Sequence, residues 1–316
     1  MSSTASALWY VGEGKAELRE GAVGTGVRLR ALYSGLSRGT ERLVLNGRVP
    51  ASEYDRMRCP HQEGAFPFPV KYGYCLVGNV IDGPRAGEIV FTLHPHQREA
   101  ALPAEALHTV PANVPAKRAV LTANMETALT AIWDSGVSAG DKVLVIGAGV
   151  LGLLIAALAA RMPGTQVTVV DPLAERREIV VALGATYAAP DEAPRDQDVV
   201  IHASAAPQGL ALALECAGLE ATVVEASWYG ATQVPLALGE GFHQRRLKLI
   251  SSQVGSIPAA RAPRWSYARR IGIALALLAD PLFDRFITGE IAFDDAPAKV
   301  PAALAGSTGL MTVLRY

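Results

Sequence analysis

Val143-Leu-Val-Ile-Gly-Ala-Gly-Val-Leu-Gly152, followed by Val167-Thr-Val-Val-Asp171, decides the reading of this chain. An apolar strand runs into a glycine turn, a helix, a second strand and then an acid. A dinucleotide needs that order. Gly147 permits the tight turn, Gly149 lets backbone approach a pyrophosphate, and Gly152 lets helix and strand pack closely. The pyrophosphate would rest on the N–H groups of the helix that opens at Val150 and Leu151. Asp171 lies 19 residues beyond Gly152, close to the ~20 expected of a carboxylate that takes the ribose hydroxyls of NAD and repels the extra phosphate of NADP. The competing reading is a flavodoxin-like βαβ unit with an ordinary turn.

With 316 residues, half of them hydrophobic, the chain can bury a large core and is expected to form two domains. A net charge of −1 with both signs interspersed leaves no electrostatic footprint for nucleic acid or an anionic membrane. Small molecules are the expected partners. No basic-then-apolar leader and no apolar run of ~18 residues is present, so the expected location is the cytoplasm. Three scattered cysteines, Cys59, Cys75 and Cys216, make neither a disulfide framework nor a C-x-x-C zinc knuckle. They read as reduced, mostly buried thiols.

Residues 1–118 read as β-rich, with strands near 26–33, 78–81, 88–93 and 98–102 and no helical period of useful length. From residue 119 helix and strand alternate: helices at 119–135, 151–161, 174–183 and 208–214, strands at 142–146, 166–170, 198–203, 221–225 and 248–252. That alternation predicts a parallel sheet covered by helices. A helix at 267–279, a strand at 287–291, a short helix at 297–305 and a strand at 311–315 close the chain. The expected domains are therefore 1–118, 119–263 and a segment 264–316 that returns to the first.

Several stretches carry a resemblance: Tyr33-Ser-Gly-Leu-Ser-Arg-Gly-Thr-Glu41, Tyr72-Gly-Tyr-Cys-Leu-Val-Gly78, Ala86-Gly-Glu-Ile-Val-Phe91, Gly136-Val-Ser-Ala-Gly-Asp-Lys-Val-Leu-Val145, and Leu277-Leu-Ala-Asp280 leading to Ile287-Thr-Gly289. The chain resembles the medium-chain dehydrogenase/reductase superfamily over nearly its whole length. The resemblance implies a GroES-like β-rich catalytic domain, a doubly wound Rossmann α/β domain, and a homodimer paired through the edge of the Rossmann sheet. Zinc-dependent members carry a cysteine in the Ser37–Arg38 region, a His-Glu pair and usually a four-cysteine lobe. Here the pair is Tyr74-Cys75, the cysteine is Ser37 or Arg38, and the lobe is missing. Zinc needs three or four His, Cys or carboxylate donors, so a zinc-free member is expected. The front domain is most similar to the bacteriochlorophyllide-type hydroxyethyl dehydrogenases, which oxidise a secondary alcohol with NAD.

Without zinc, hydrogen-bond donors must polarise the substrate oxygen. Thr40 falls where the superfamily carries a proton-relaying hydroxyl, and Tyr74 where a zinc-binding histidine would stand. Either could instead be structural, Thr40 tying the turn at Gly39 and Tyr74 filling the space of a metal. His94 follows a strand at a station that lines the pocket in relatives, and histidine titrates near neutral pH. Glu126 could tune a proton path or pair with an arginine. His61, His94 and His96 as a metal site is disfavoured, because alternate residues on an extended chain face opposite sides. His202 reads as a core residue. Ala203, Ser204 and Ser227 end the fourth and fifth strands, where a doubly wound sheet presents its ligand crevice; Trp228 and Tyr229 follow. Arg176 and Arg177 could stack on adenine or take a 2′-phosphate. The resulting expectation is a zinc-independent, NAD-dependent oxidoreductase acting on a secondary alcohol or ketone. An NADPH-dependent enoyl or quinone reductase and an inactive nucleotide-binding scaffold are the rivals.

Overall fold

A strand buried on both faces needs an almost unbroken apolar run, and Val143–Ile146, Val167–Val170 and Val199–Ile201 supply three. The computed structural model of the chain describes residues 3–316, and there these runs lie side by side in an all-parallel, six-stranded sheet. Its order is Thr186–Ala188, Gln166–Val170, Lys142–Ile146, Gln197–His202, Ala217–Glu225 and Lys248–Ser251. Counted along the chain that is 3-2-1-4-5-6, the doubly wound order, which reverses between Lys142–Ile146 and Gln197–His202. The helix Val150–Ala159 buries every residue from Gly152 to Ala159, as an all-round apolar sequence must.

The chain divides into two compact units, Asn124–Arg270 and a second made of Met1–Ala123 with Ile271–Tyr316. The second unit is β-rich. Its larger sheet runs Ile287–Ala292, Met311–Arg315, Val27–Leu36, Leu76–Val80, Ile89–Thr92 and His108–Thr109, with Glu99–Leu102 also paired to Val27–Leu36. Its smaller sheet runs Lys15–Ala22, Thr4–Gly12, Val70–Lys71 and Glu63–Gly64. The closing strand Met311–Arg315 lies between Ile287–Ala292, parallel, and Val27–Leu36, antiparallel. Leu29, Leu76, Val80, Val90 and Leu102 pack into one core cluster of this unit.

Sequence periodicity locates the Rossmann strands to within a few residues, and 142–146, 166–170 and 311–315 to the residue. One expectation fails. Residues 1–118 do contain a helix of useful length, Arg38–Leu45, which buries Glu41, Val44 and Leu45. That spacing is one helical face, but its first member is a glutamate, so an apolar-period reading passes over it. The structure also has an edge strand, Thr186–Ala188, whose three residues are too few to show a pattern in sequence. No helix among the described residues is long and apolar enough to cross a membrane.

Candidate active site and cofactor seat

The glycine turn sits where the strand order reverses. Gly147 has φ +108°, and a Cβ there would stand 2.9 Å from the backbone of Ser204. Only glycine lets the ends of Lys142–Ile146 and Gln197–His202 approach so closely. A Cβ on Gly152 would stand 1.8 Å from the Gly147 carbonyl oxygen, so the helix could not start where it does. A Cβ on Gly149 meets nothing within 4 Å. Gly149 is the N-cap of Val150–Ala159, with no side-chain cap on the first N–H groups. Open space in front of uncapped helix N–H groups is what a pyrophosphate requires, and the residues fit a dinucleotide.

Asp171 is almost fully buried at the end of Gln166–Val170, and both its oxygens are engaged. Oδ2 accepts from the Ala148 N–H at 2.7 Å and Oδ1 from the Leu173 N–H at 2.9 Å. The acid thus ties the glycine turn to the neighbouring strand, and each oxygen keeps acceptor capacity for a hydroxyl. Arg177 stacks on the Tyr187 ring with its guanidinium carbon 4.6 Å from the centroid, and Arg176 is buried.

At the ends of the fourth and fifth strands, Ser204 and Ser227 belong to one network. His202 is fully buried but not an apolar-packed core residue. Its Nδ1 lies 2.8 Å from Glu225 Oε2 and its Nε2 2.6 Å from Ser204 Oγ. The Ser227 N–H donates to Glu225 Oε1 at 2.7 Å, and the Tyr229 hydroxyl to Glu225 Oε2 at 2.9 Å. The Ala205 N–H, on a backbone of φ +55° beyond Ala203, donates to Ser227 Oγ at 3.0 Å. Burial raises the Glu225 carboxyl, but the bonds to His202 and Ser227 outweigh it and hold it below the usual carboxylate range. Two adjacent strand ends are thereby locked beside the glycine turn. Glu225 lies 23 residues from His202 in the chain, and no motif or spacing links the two.

In the β-rich unit, the structure brings Ser37, Thr40 and Tyr74 together. The Tyr74 hydroxyl donates to Ser37 Oγ, and the Thr40 side chain also bonds the phenol. Burial pushes the Tyr74 phenol well up, with Cys75 adding to it, so it is a proton donor at neutral pH. Beneath it, Glu41 Oε1 accepts from the Ser37 N–H at 2.7 Å. Glu41 Oε2 accepts from the Tyr10 hydroxyl at 2.6 Å and lies 2.9 Å from His96 Nε2. His96 Nδ1 is 2.7 Å from Ser34 Oγ, which is 2.9 Å from the Tyr316 hydroxyl. Gly73, at φ +124°, makes room for this histidine, since a Cβ there would stand 2.7 Å from His96 Nε2.

The other two candidates lie elsewhere. His94 donates Nδ1–H to the Pro95 carbonyl at 2.9 Å and stacks on His61 with centroids 5.3 Å apart. Glu126 belongs to the Rossmann unit and is spent in a buried ion pair, Oε1 lying 2.7 Å from Arg270 Nε. Ser37 and Tyr74 hydrogen-bond each other, Cys75 is fully buried, and among the described residues no group of three or more His, Cys, Asp or Glu is placed to hold a metal ion.

No family model matches the chain. D-guloside 3-dehydrogenase of Escherichia coli K12 is 24% identical over 274 residues, covering 77% of this chain and 78% of that one. Acetophenone reductase from Geotrichum candidum NBRC 4597, solved with NAD, superposes with a TM-score of 0.79 at 18% identity, over 100% of this chain and 98% of that one. A zinc-binding-type dehydrogenase from Sinorhizobium meliloti 1021, bound to NADP, superposes at 0.78 with 20% identity, over 99% and 100%. The chain therefore has the fold of the medium-chain dehydrogenases, a β-rich GroES-like unit with a Rossmann unit inserted in its sequence.

Proposed function

We propose that the chain is a zinc-independent, NAD(H)-dependent oxidoreductase that interconverts a secondary alcohol and a ketone. The observation that carries this is the hydroxyl cluster Ser37, Thr40 and Tyr74, joined through hydrogen bonds of the Tyr74 hydroxyl at the positions where zinc-dependent members of the resembled superfamily place ligands. The intact glycine turn with Asp171 supports the cofactor half of the reading. Nicotinamide, when bound, supplies or accepts the hydride. The protein must hold the substrate oxygen and move one proton. Tyr74, a phenol at neutral pH, turns its one proton from Ser37 Oγ to the substrate oxygen as negative charge develops on a reduced carbonyl and transfers it, and the Ser37 hydroxyl then donates to the phenolate that is left until solvent reprotonates it. Ser37 and Thr40 hold the phenol in place, and the buried Glu41 fixes Ser37 through its backbone N–H. In the oxidative direction that step runs in reverse: the alcohol proton passes to the Tyr74 phenolate as the carbonyl forms.

Asp171 favours NAD over NADP, because a 2′-phosphate would face a carboxylate already held by two backbone N–H groups. The likeness to bacteriochlorophyllide-type hydroxyethyl dehydrogenases through residues 34–50 supports the zinc-free branch. The proposal includes a cytoplasmic homodimer paired through the edge strand Lys248–Ser251. The test is metal analysis of active protein, joined to NADH and NADPH titrations and a panel of secondary alcohols and ketones followed at the NADH absorbance. Activity without stoichiometric zinc and tighter binding of NADH are expected. Stoichiometric zinc that turnover requires, or preference for NADPH, overturns it.

A further inference from the structure

A cavity of about 210 Å³ opens in the β-rich unit, and Ser37, Thr40 and Tyr74 do not line it. Its polar lining is His61, Gln62, Glu63, Lys71 and His94. Lys71 is buried, yet its charge is answered by Glu63 Oε1 and by Gln97 Oε1 at 2.7 Å. Glu63 Oε1 also accepts the Ala22 N–H at 2.9 Å. Burial lowers both imidazoles, His94 to about 3, so the rings are neutral at pH 7. The lining as a whole therefore carries no net charge.

Hydrogen-bonding capacity is left over. Gln62 is 8% exposed, its Oε1 accepts the Cys59 N–H at 3.2 Å, and its Nε2 is buried with no partner. A buried, unpaired amide donor is destabilising, and a ligand acceptor would relieve it. His94 gives its Nδ1–H to Pro95, so Nε2 presents a lone pair. His61 stands at the rim, exposed, on a left-handed backbone of φ +58° that a non-glycine residue adopts at a cost.

We propose that this cavity binds a small, neutral polyhydroxy compound. A hydroxyl both donates and accepts, which suits a lining that mixes an amide donor with an imidazole acceptor. A free anion would meet Glu63 and a free cation Lys71, so neutrality is selected. The volume falls below the roughly 300–1,000 Å³ of drug-sized pockets, and at ~30 Å³ per water it holds about seven waters, the size of a short polyol. This site does not depend on the dehydrogenase reading.

The test is calorimetric and ligand-observed NMR titration of the whole protein with glycerol and with xylitol, beside inorganic phosphate and Zn²⁺. Gln62→Leu and His61→Gly are the variants; the second removes the imidazole while suiting the left-handed backbone, so it should fold at least as well as the parent. Saturable xylitol binding is expected, weakened about tenfold in each variant as one hydrogen bond is lost, with turnover unchanged. The proposal is overturned if neither polyol binds at roughly 100 mM, well above the millimolar Kd so small a ligand supports. It is also overturned if phosphate or Zn²⁺ binds in their place, or if xylitol binding survives both substitutions.

Discussion

Removing the Glu126 carboxylate should unfold the protein sooner rather than stop its chemistry. Arg270 is 2% exposed and Glu126 3%. With Glu126→Ala, the guanidinium keeps Thr130 Oγ1 at 3.0 Å, the Ser256 carbonyl at 3.3 Å and the Val254 carbonyl at 2.7 Å, but loses the Glu126 carboxylate and exposes Nε to a void. Arginine cannot shed its proton to escape, so a full charge stays buried. Breaking one partner of a buried pair costs about 3–5 kcal/mol, and the three surviving bonds place the expected loss near the lower end, about 3 kcal/mol. That is a large share of the ~5–15 kcal/mol of a typical domain. Replacing both residues, Glu126→Met with Arg270→Met, removes the stranded charge and should recover most of the loss. Urea unfolding followed by fluorescence reads both variants, with kcat measured at a urea concentration where each is folded. A Glu126→Ala protein within about 1 kcal/mol of the parent but with kcat down a hundredfold would refute the structural role and return Glu126 to the proton path.

Tyr74→Phe should lower kcat about 10²-fold while leaving the NADH Kd unchanged, because the lost donor acts on the substrate oxygen; a change confined to NADH affinity would contradict that. Gly152→Ala, whose Cβ would stand 1.8 Å from a backbone oxygen, should cost at least about 3 kcal/mol or yield insoluble protein. Gly149→Ala, facing open space, should fold within about 1 kcal/mol of the parent yet bind NADH at least tenfold more weakly by calorimetry. His94 gives a pH dependence whose sign is fixed: its pKa is lowered to about 3 when folded, so between about pH 6.5 and 3 the unfolded chain binds the extra proton and stability falls as pH falls. The loss from this group should reach on the order of 2–3 kcal/mol by about pH 4.5, read as the difference in urea midpoint between parent and His94→Asn across that range.

The cofactor seat was legible because its parts are local. Strand, turn and helix follow within 20 residues, and each glycine answers a steric demand the structure then displays: Gly147 against Ser204, Gly152 against Gly147. Asp171 was found by spacing, but its grip on Ala148 and Leu173 was not, since a backbone N–H leaves no mark in sequence. The polar networks were less legible. Glu41 meets His96 across 55 residues and Tyr10 across 31, and nothing periodic links them. His202 looked like core because it lies in an apolar strand, and its partner Glu225 ends a different strand in the same register. Alternation did separate His94 from His96, which turn to different partners.

Met311–Arg315 is an interior strand of the larger sheet, bonded on both sides, and Tyr316 beside it reaches Ser34. Because the segment Asn124–Arg270 is continuous, every residue of that unit is synthesised before this strand exists. On the ribosome the Rossmann unit can therefore finish first, while Val27–Leu36 waits with one edge unpaired until Met311–Arg315 has been made. That waiting edge is the place where a chaperone, or a second nascent copy, would gain its hold.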